Sequence, residues 1–211
     1  MDYSKQEGLY MKKYKLIFAI FFIIISVILI VLLKSREDNQ DNTSMLNTPI
    51  NTSLGGHFYL PSTLGKPLDS RELKGQITLM TFGYTNCEDV CPIGLMRLHQ
   101  VIKELGKETK DINVIFVSFD SSHNLDELAD YIHKFDSKII GITGTEQEIS
   151  NLTKLYGVVY PKGREIDGKA SFDHNGFIYL LDQNGRVRAI YPNRTTSSTI
   201  LKDITSLKEN H

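Results

Sequence analysis

The pattern of apolar and polar positions divides the chain into two parts. Residues 16–33 form an apolar run without a charged residue, whereas the later residues alternate between short apolar runs and segments with helical spacing. A helix over residues 16–33 would be about 27 Å long, close to the hydrocarbon thickness of a bilayer. We therefore expect a transmembrane anchor there, with residues 1–15 in the cytoplasm because lysines are concentrated before the run.

The composition of the remaining chain indicates a linker followed by one globular domain. Residues 34–53 are polar and lack apolar periodicity, which predicts a flexible linker. Residues 54–211 have the length of a single domain. The formal net charge of the chain is −1 and the charges are scattered. This distribution gives no basic patch for nucleic acid.

The domain alternates between strand and helix patterns. Strand patterns occur at residues 57–60, 77–82, 113–119, 138–142, 177–181 and 187–191, and helical spacing at 92–107, 125–135, 145–156 and 197–207. Asn184 and Gly185 form a hairpin-turn signal between the last two strands. We predict an α/β fold with a central mixed sheet flanked by helices. Its order of elements resembles thioredoxin.

Both cysteines of the chain, Cys87 and Cys91, lie on the predicted turn between the strand at 77–82 and the next helix. A thiol at the start of a helix is near unpaired N–H groups and the positive end of the helix dipole, which favour the thiolate. With three residues between them, the two sulfurs can form a disulfide or bind one metal ion. The spacing leaves both readings open, but two cysteines are too few for a four-cysteine zinc site.

Several short motifs accompany the cysteine turn. The segment FGYTNCEDVCP lies at 82–92, with LGGHF at 54–58, VSFD at 117–120, GITG at 141–144, DH at 173–174 and IYLLD at 178–182. Together these motifs resemble the Sco/SenC family of membrane-anchored copper proteins with a thioredoxin-like fold. The resemblance covers roughly residues 54–192. Several motifs in the same order are more specific than one pair of cysteines.

The resemblance implies that Cys87, Cys91 and His174 bind copper. His174 lies in a glycine-bounded loop at 167–176, before the strand that thioredoxins precede with a proline. By contrast, His99 follows Cys91 by about 12 Å along the predicted helix, which is too far for it to share a metal ion. The two sulfurs and one imidazole would suit Cu(I), with Cu(II) as a second oxidation state.

The function that the resemblance implies is a copper chaperone rather than an enzyme. Such a protein would deliver one copper ion to the CuA site of cytochrome c oxidase or to another copper-accepting protein, without a small-molecule substrate. The expected location is the cytoplasmic membrane of a bacterium with the domain facing the periplasm or the outside; a mitochondrial inner membrane is the alternative. A second reading is a thiol–disulfide reductase in which Cys87 and Cys91 are the catalytic redox pair. A redox or metal sensor is a third reading.

Two departures from the family pattern affect this expectation. Glu88 stands where the family usually has proline, and its negative charge beside Cys87 disfavours the thiolate. The segment at 120–124 differs from the Asp-Pro segment of the family. Asp89 and Asp173 are candidates for tuning the site, although each could equally be a solvated loop carboxylate.

Overall fold

The computed structural model describes residues 15, 18, 20–31, 44–46, 54–85, 90–120, 124–160, 162–166, 169–172 and 176–209. Contacts between Cα atoms divide the chain into two compact units, Met1–Thr43 and Ser44–His211. Residues 20–31 of the first unit are helical. Within the described part of the chain, no helix is both long and apolar enough to cross a membrane. Leu32 and Leu33, at the end of the predicted span, lie outside that part.

A five-stranded mixed sheet forms the centre of the second unit. Its strands, in spatial order, are β5 (Ile140–Ile142), β4 (Ile112–Ser118), β3 (Ile77–Gly83), β8 (Ile178–Leu181) and β9 (Val187–Tyr191). The first three are parallel, and β8 and β9 complete the sheet in antiparallel pairing. All residues of β3 are buried, as expected for a central strand covered on both faces.

Helices cover both faces of this sheet. They are α1 (Val90–Leu105), α2 (Leu125–Ile132), α3 (Glu146–Tyr156) and α4 (Ser197–Glu209). Apolar side chains of α1, α2 and α4 share one buried cluster with Ile77 and Leu79 of β3. Those of α3 share the other cluster with Met80 and Phe82 of the same strand. Alternate residues of β3 therefore face opposite helical layers.

Short elements outside the central sheet complete the unit. Strands β1 (Tyr59–Leu60) and β2 (Leu68–Asp69) pair with each other, and a short helix follows at Ser70–Leu73. A second short helix spans Gly106–Asp111. Strands β6 (Lys162–Ile166) and β7 (Lys169–Phe172) form a separate antiparallel pair.

The α/β class and the mixed central sheet agree with the sequence prediction, and two local expectations need correction. The segment predicted as a strand at 57–60 contributes β1 to a small separate sheet. The loop predicted at 167–176 contains β7 over its residues 169–172. The sequence did not predict this hairpin because β6 and β7 are rich in polar residues and show no strong apolar alternation.

Part of the predicted linker contacts the domain. The backbone N–H of Met45 donates to Asp203 Oδ2 (3.0 Å), which also accepts from the Tyr191 hydroxyl (2.9 Å). Met45 and Leu46 pack against the apolar cluster of the α1, α2 and α4 face. Residues 44–46 are therefore attached to the domain by a buried carboxylate and by apolar contacts.

Candidate metal centre

Cys91 is held at the junction between the central strand β3 and the helix α1. It is the second residue of α1 and is 4% exposed. Its Sγ lies against Gly83, the last residue of β3: a Cβ at Gly83 would overlap the sulfur and come within 3.1 Å of the Phe116 ring. A side chain at position 83 would therefore displace Cys91, and glycine is required for this contact.

The start of α1 gives Cys91 a particular electrostatic environment. The backbone N–H groups of the first helical turn have no partners within the helix, and the dipole places partial positive charge there. The first turn contains no acidic residue, so no carboxylate within it opposes this charge. The side chain is buried and its sulfur packs against Gly83 of β3. The arrangement presents a buried sulfur in the first turn of the helix.

The opposite face of β3 is lined with aromatic rings at the same end of the sheet. The Phe82 ring is 5.4 Å from Tyr179 and 6.2 Å from Phe119, measured between centroids. Phe119 in turn stacks on Tyr160 at 4.4 Å. These aromatic contacts pack the end of β3 on the sheet face opposite Cys91. They restrict movement of the strand against which Cys91 packs.

An apolar cavity of about 160 Å³ lies beside this end of the sheet. It is lined by Phe82, Gly157, Val158, Val159, Gly176, Phe177, Tyr179 and Ile190. Val159 is 77% exposed, so an apolar side chain faces solvent at the cavity. Gly176 and Phe177, which line the cavity, form the segment that leads into β8.

A side-chain hydrogen bond connects β3 to that segment. The Thr81 hydroxyl donates to the Phe177 carbonyl at 3.0 Å. Phe177 directly precedes β8, whose first residue, Ile178, pairs with Thr81 in the sheet. Phe177 and the first residue of β8 are thereby attached to β3.

Asp120 lies at the same edge of the sheet, just beyond β4. Its side chain is buried at 6% exposure, its backbone N–H donates to Ser118 Oγ (3.2 Å), and its carbonyl accepts from the Thr143 hydroxyl (3.2 Å). The carboxyl ends of parallel strands meet at one edge, which is where open α/β sheets bind ligands. The structure thus holds a buried carboxylate near the edge from which the cysteine turn departs.

Only part of the predicted ligand set falls within the described residues. Cys91 is described, whereas Cys87, His174, Glu88, Asp89 and Asp173 lie outside the described part of the chain. Among the described residues, no group of three histidine, cysteine or acidic side chains is arranged to hold a metal ion. Of the three predicted ligands, only Cys91 is therefore among the described residues.

The three described histidines, His57, His99 and His133, have other contacts or lie on the surface. His99 Nδ1 is 3.0 Å from Asp136 Oδ2, and His57 Nε2 is 3.1 Å from Asp69 Oδ1. The guanidinium of Arg71 also binds Asp69 and is the main cause that lowers the pKa of this carboxyl. His133 is exposed at the end of α2. His99 and His57 are therefore engaged by carboxylates.

Sequence reasoning missed Thr81 and Gly83 as residues that shape the site. The glycine that ends the apolar run before the cysteines was a visible signal, because a glycine there permits close approach of another chain segment. No sequence signal indicates the hydrogen bond of Thr81, since it depends on the pairing of two strands that are distant along the chain.

The central sheet, its helical layers and the cysteine at the start of α1 define a thioredoxin-like protein with a thiol site. The chain belongs to the SCO1/SenC family, whose sequence profile matches residues 47–209. This confirms the family indicated by the sequence motifs.

Relatives and solved structures support the same assignment. The chain is 36% identical over 139 residues to the SCO2-like protein of Rickettsia felis, covering 64% of this chain and 68% of that protein. It is 34% identical over 136 residues to the human mitochondrial SCO1 homologue, covering 63% of this chain but 45% of the human protein.

Two solved structures with copper bound share the fold. ScoI of Bradyrhizobium japonicum matches with 33% identity and a TM-score of 0.66, over 74% of this chain and 98% of that one. Yeast Sco1 matches with 29% identity and a TM-score of 0.64, over 73% of this chain and 90% of that one. The prediction of copper agrees with the metal in these relatives.

Proposed function

We propose that this protein is a membrane-anchored copper chaperone that binds one copper ion and delivers it during assembly of cytochrome c oxidase. The observation that carries the proposal is the placement of Cys91: its sulfur is fixed against Gly83 in the first turn of α1. The chain belongs to a family in which solved members have copper bound. A sulfur held at a helix start is suited to binding a soft metal ion.

The proposed ligands are Cys87, Cys91 and His174. Two thiolates and one imidazole form a donor set that favours Cu(I), because soft sulfur ligands select this ion. Three protein ligands leave the copper ion accessible to a further ligand. Zn²⁺ is expected to bind this set less well, because structural zinc sites use four protein ligands.

Delivery is proposed to proceed by ligand exchange. A sulfur or nitrogen ligand of the recipient binds the copper ion as ligands of this protein leave, so the ion is never released into water. The thiols must be reduced before copper binds, because only the thiolates are ligands. The recipient is proposed to be the oxidase subunit that contains the CuA site, or another copper-accepting protein.

The membrane location follows from the apolar run at residues 16–33. A single anchor with the lysine-rich N-terminus in the cytoplasm places the domain on the outer side of a bacterial cytoplasmic membrane. Residues 34–43 then connect the anchor to the segment that contacts Asp203. This arrangement would keep the copper site near membrane-embedded recipients.

A thiol–disulfide reductase is the second candidate, and the environment of Cys91 also favours it. A thiolate at a helix start is the attacking group in thiol–disulfide exchange. In this reading Cys87 and Cys91 pass two electrons and two protons to a disulfide of the recipient and become a disulfide themselves. Exchange between sulfurs does not require the imidazole of His174.

The two candidates are separated by cytochrome c oxidase assembly in cells that express single variants. For the chaperone, His174→Ala should reduce the CuA absorption of purified oxidase as strongly as Cys91→Ser. His133→Ala is the matched control, since this histidine is exposed at the end of α2, and it should support normal assembly. Normal assembly with His174→Ala, together with failure of Cys91→Ser, would instead establish the reductase.

A further inference from the structure

We propose that a second cavity, at the opposite end of the central strand from Cys91, binds a small organic phosphate. The cavity has a volume of about 510 Å³, which is within the range of small-molecule sites. Thr78, near the start of β3, lines it. The five steps along the strand from Thr78 to Gly83, where Cys91 packs, span about 16 Å. The inference therefore does not depend on the proposed copper ligands.

The walls of the cavity are joined to one another by hydrogen bonds. They are formed mainly by residues 54–58, 70–74 and 184–186. The Phe58 N–H donates to Ser70 Oγ (3.1 Å), and the Ser70 N–H donates to the Phe58 carbonyl (3.0 Å). The Gly75 N–H donates to the Gln183 carbonyl in the turn between β8 and β9 (2.8 Å). Because the backbone holds all three walls together, the cavity is formed before a ligand enters.

Basic side chains line the part of the cavity that is open to solvent. Lys74 and Arg186 are exposed lining residues, and neither forms an ion pair within the described part of the chain. No aspartate or glutamate is among the described residues that line the cavity. Glu72, on the same short helix as Arg71, is engaged by Lys66 at 2.7 Å. The lining therefore has an excess of positive charge, which favours an anion.

Arg71 adds a guanidinium group whose orientation is fixed by a carboxylate. Its Nε donates to both carboxylate oxygens of Asp69 at 3.0 Å, and its Nη2 also donates to this carboxylate. Nη1 takes no part in these bonds. The planar N–H donors of arginine match the oxygens of a phosphate group. Together with Lys74 and Arg186, Arg71 supplies donors for several oxygens, as a phosphate requires.

The buried part of the lining combines apolar surface with a hydroxyl group. Phe58, Leu73 and Tyr156 are buried and line the cavity, and they provide contact area for the organic part of a ligand. Thr78 is 2% exposed, and its hydroxyl forms no hydrogen bond with a described residue. Buried hydroxyls normally have a hydrogen-bond partner. The Thr78 hydroxyl is therefore available to a polar group that enters the cavity.

The test is an NMR titration of the full chain, labelled with ¹⁵N-glycine in an uncharged detergent, with phenyl phosphate as the probe. The amide signals of Gly55, Gly56 and Gly185, which line the cavity, should shift until the site is saturated. The signal of Gly94 on α1 should not shift. Inorganic phosphate should bind about tenfold more weakly, because it cannot contact the apolar lining.

The probes separate the site from its proposed ligand class. Absence of a saturable shift with phenyl phosphate would overturn the site. Equal affinity for inorganic phosphate would overturn an organic ligand. A saturable shift with benzyl alcohol at the same concentrations would overturn the requirement for the phosphate group.

A double variant tests the exposed cations. Lys74→Gln combined with Arg186→Gln should weaken phenyl phosphate binding about tenfold, because two charged donors are lost. Lys134→Gln combined with Arg194→Gln is the matched control: it makes the same change in net charge at exposed residues outside the lining. This control should bind as the wild type does. Equal weakening in the two double variants would overturn the site, because binding would then depend only on net charge.

Thr78→Val tests the buried hydroxyl with two measurements. Valine keeps the branched shape but cannot form a hydrogen bond. The variant should bind phenyl phosphate several-fold more weakly. Without phenyl phosphate it should unfold at the same or a higher temperature than the wild type, because the fold loses no hydrogen bond. Unchanged binding together with a lower unfolding temperature would overturn the role of Thr78 in binding.

Discussion

Gly83 and Cys91 are in direct contact, and the absence of a side chain at Gly83 gives the sulfur its place. The last residue of β3 and the second residue of α1 meet so closely that a Cβ at position 83 would overlap Sγ. This contact explains why the strand before the cysteine turn ends in glycine. It also makes the position of Cys91 sensitive to a single methyl group.

Gly83→Ala should therefore destabilise the domain and disturb the site. The added methyl must displace the Cys91 sulfur or the Phe116 ring, whose nearest carbons would lie 3.1 Å from the new Cβ. Such overpacking costs about 1–3 kcal/mol. Thermal unfolding and Cu(I) competition on the same preparation would measure both effects.

Gly94→Ala is the control for this substitution. Among the described residues, a Cβ at Gly94 would meet only Thr81 Oγ1, at 3.8 Å, which is an ordinary contact. Replacing a helical glycine by alanine favours the helix by about 1 kcal/mol, so this variant should be as stable as the wild type or more so. Equal stability of Gly83→Ala and Gly94→Ala would show that the contact between Gly83 and Cys91 does not restrict the fold.

The extent to which the sequence predicts this structure differs between elements. The strands β3 and β4 follow from apolar runs, and α3 begins at the capping box formed by Thr145 and Glu148. The β6 and β7 hairpin was not predicted because its residues are largely polar. The pattern of apolar residues predicts a strand when the strand is buried. It predicts a strand less well when the strand is short or polar.

The site divides in the same way. The motif around Cys91 predicted the strand-to-helix turn, because the residues that form the motif are adjacent in the sequence. The contact of Gly83 with Sγ and the hydrogen bond from Thr81 to Phe177 depend on how separate segments pack. Neither can be derived from the spacing of residues along the chain.

Stability should fall at alkaline pH because of buried tyrosines. Burial raises the pKa of Tyr156 to about 12, from an ordinary value of 10.0, since the phenolate is disfavoured in an apolar environment. The folded state therefore retains a proton that the unfolded state loses above pH 10, and the free energy of unfolding decreases as pH rises from 10 to about 12.

Urea unfolding at several pH values would measure this decrease. Tyr156→Phe removes the titrating group and should make the dependence on pH less steep above about pH 10, with little change in slope near pH 8. An identical slope in the variant and the wild type would show that Tyr156 does not contribute.

The proposed anchor predicts the orientation of the chain in the membrane. An alkaline phosphatase fused after His211 should be active in a bacterial host, because this enzyme folds only outside the cytoplasm. Adding lysines after residue 33 and removing those before residue 16 should reduce its activity by weakening the charge bias. An inactive phosphatase fusion, paired with a fluorescent cytoplasmic reporter at the same position, would reverse the proposed topology.

X-ray absorption spectroscopy of the reduced full chain loaded with one equivalent of Cu(I) tests the central claim most directly. The proposed ligands predict a copper shell of two sulfur atoms and one nitrogen atom. The nitrogen should disappear from the shell in His174→Ala, whereas His133→Ala should give the wild-type spectrum. A wild-type shell without nitrogen, or an unchanged shell in His174→Ala, would contradict the proposed site.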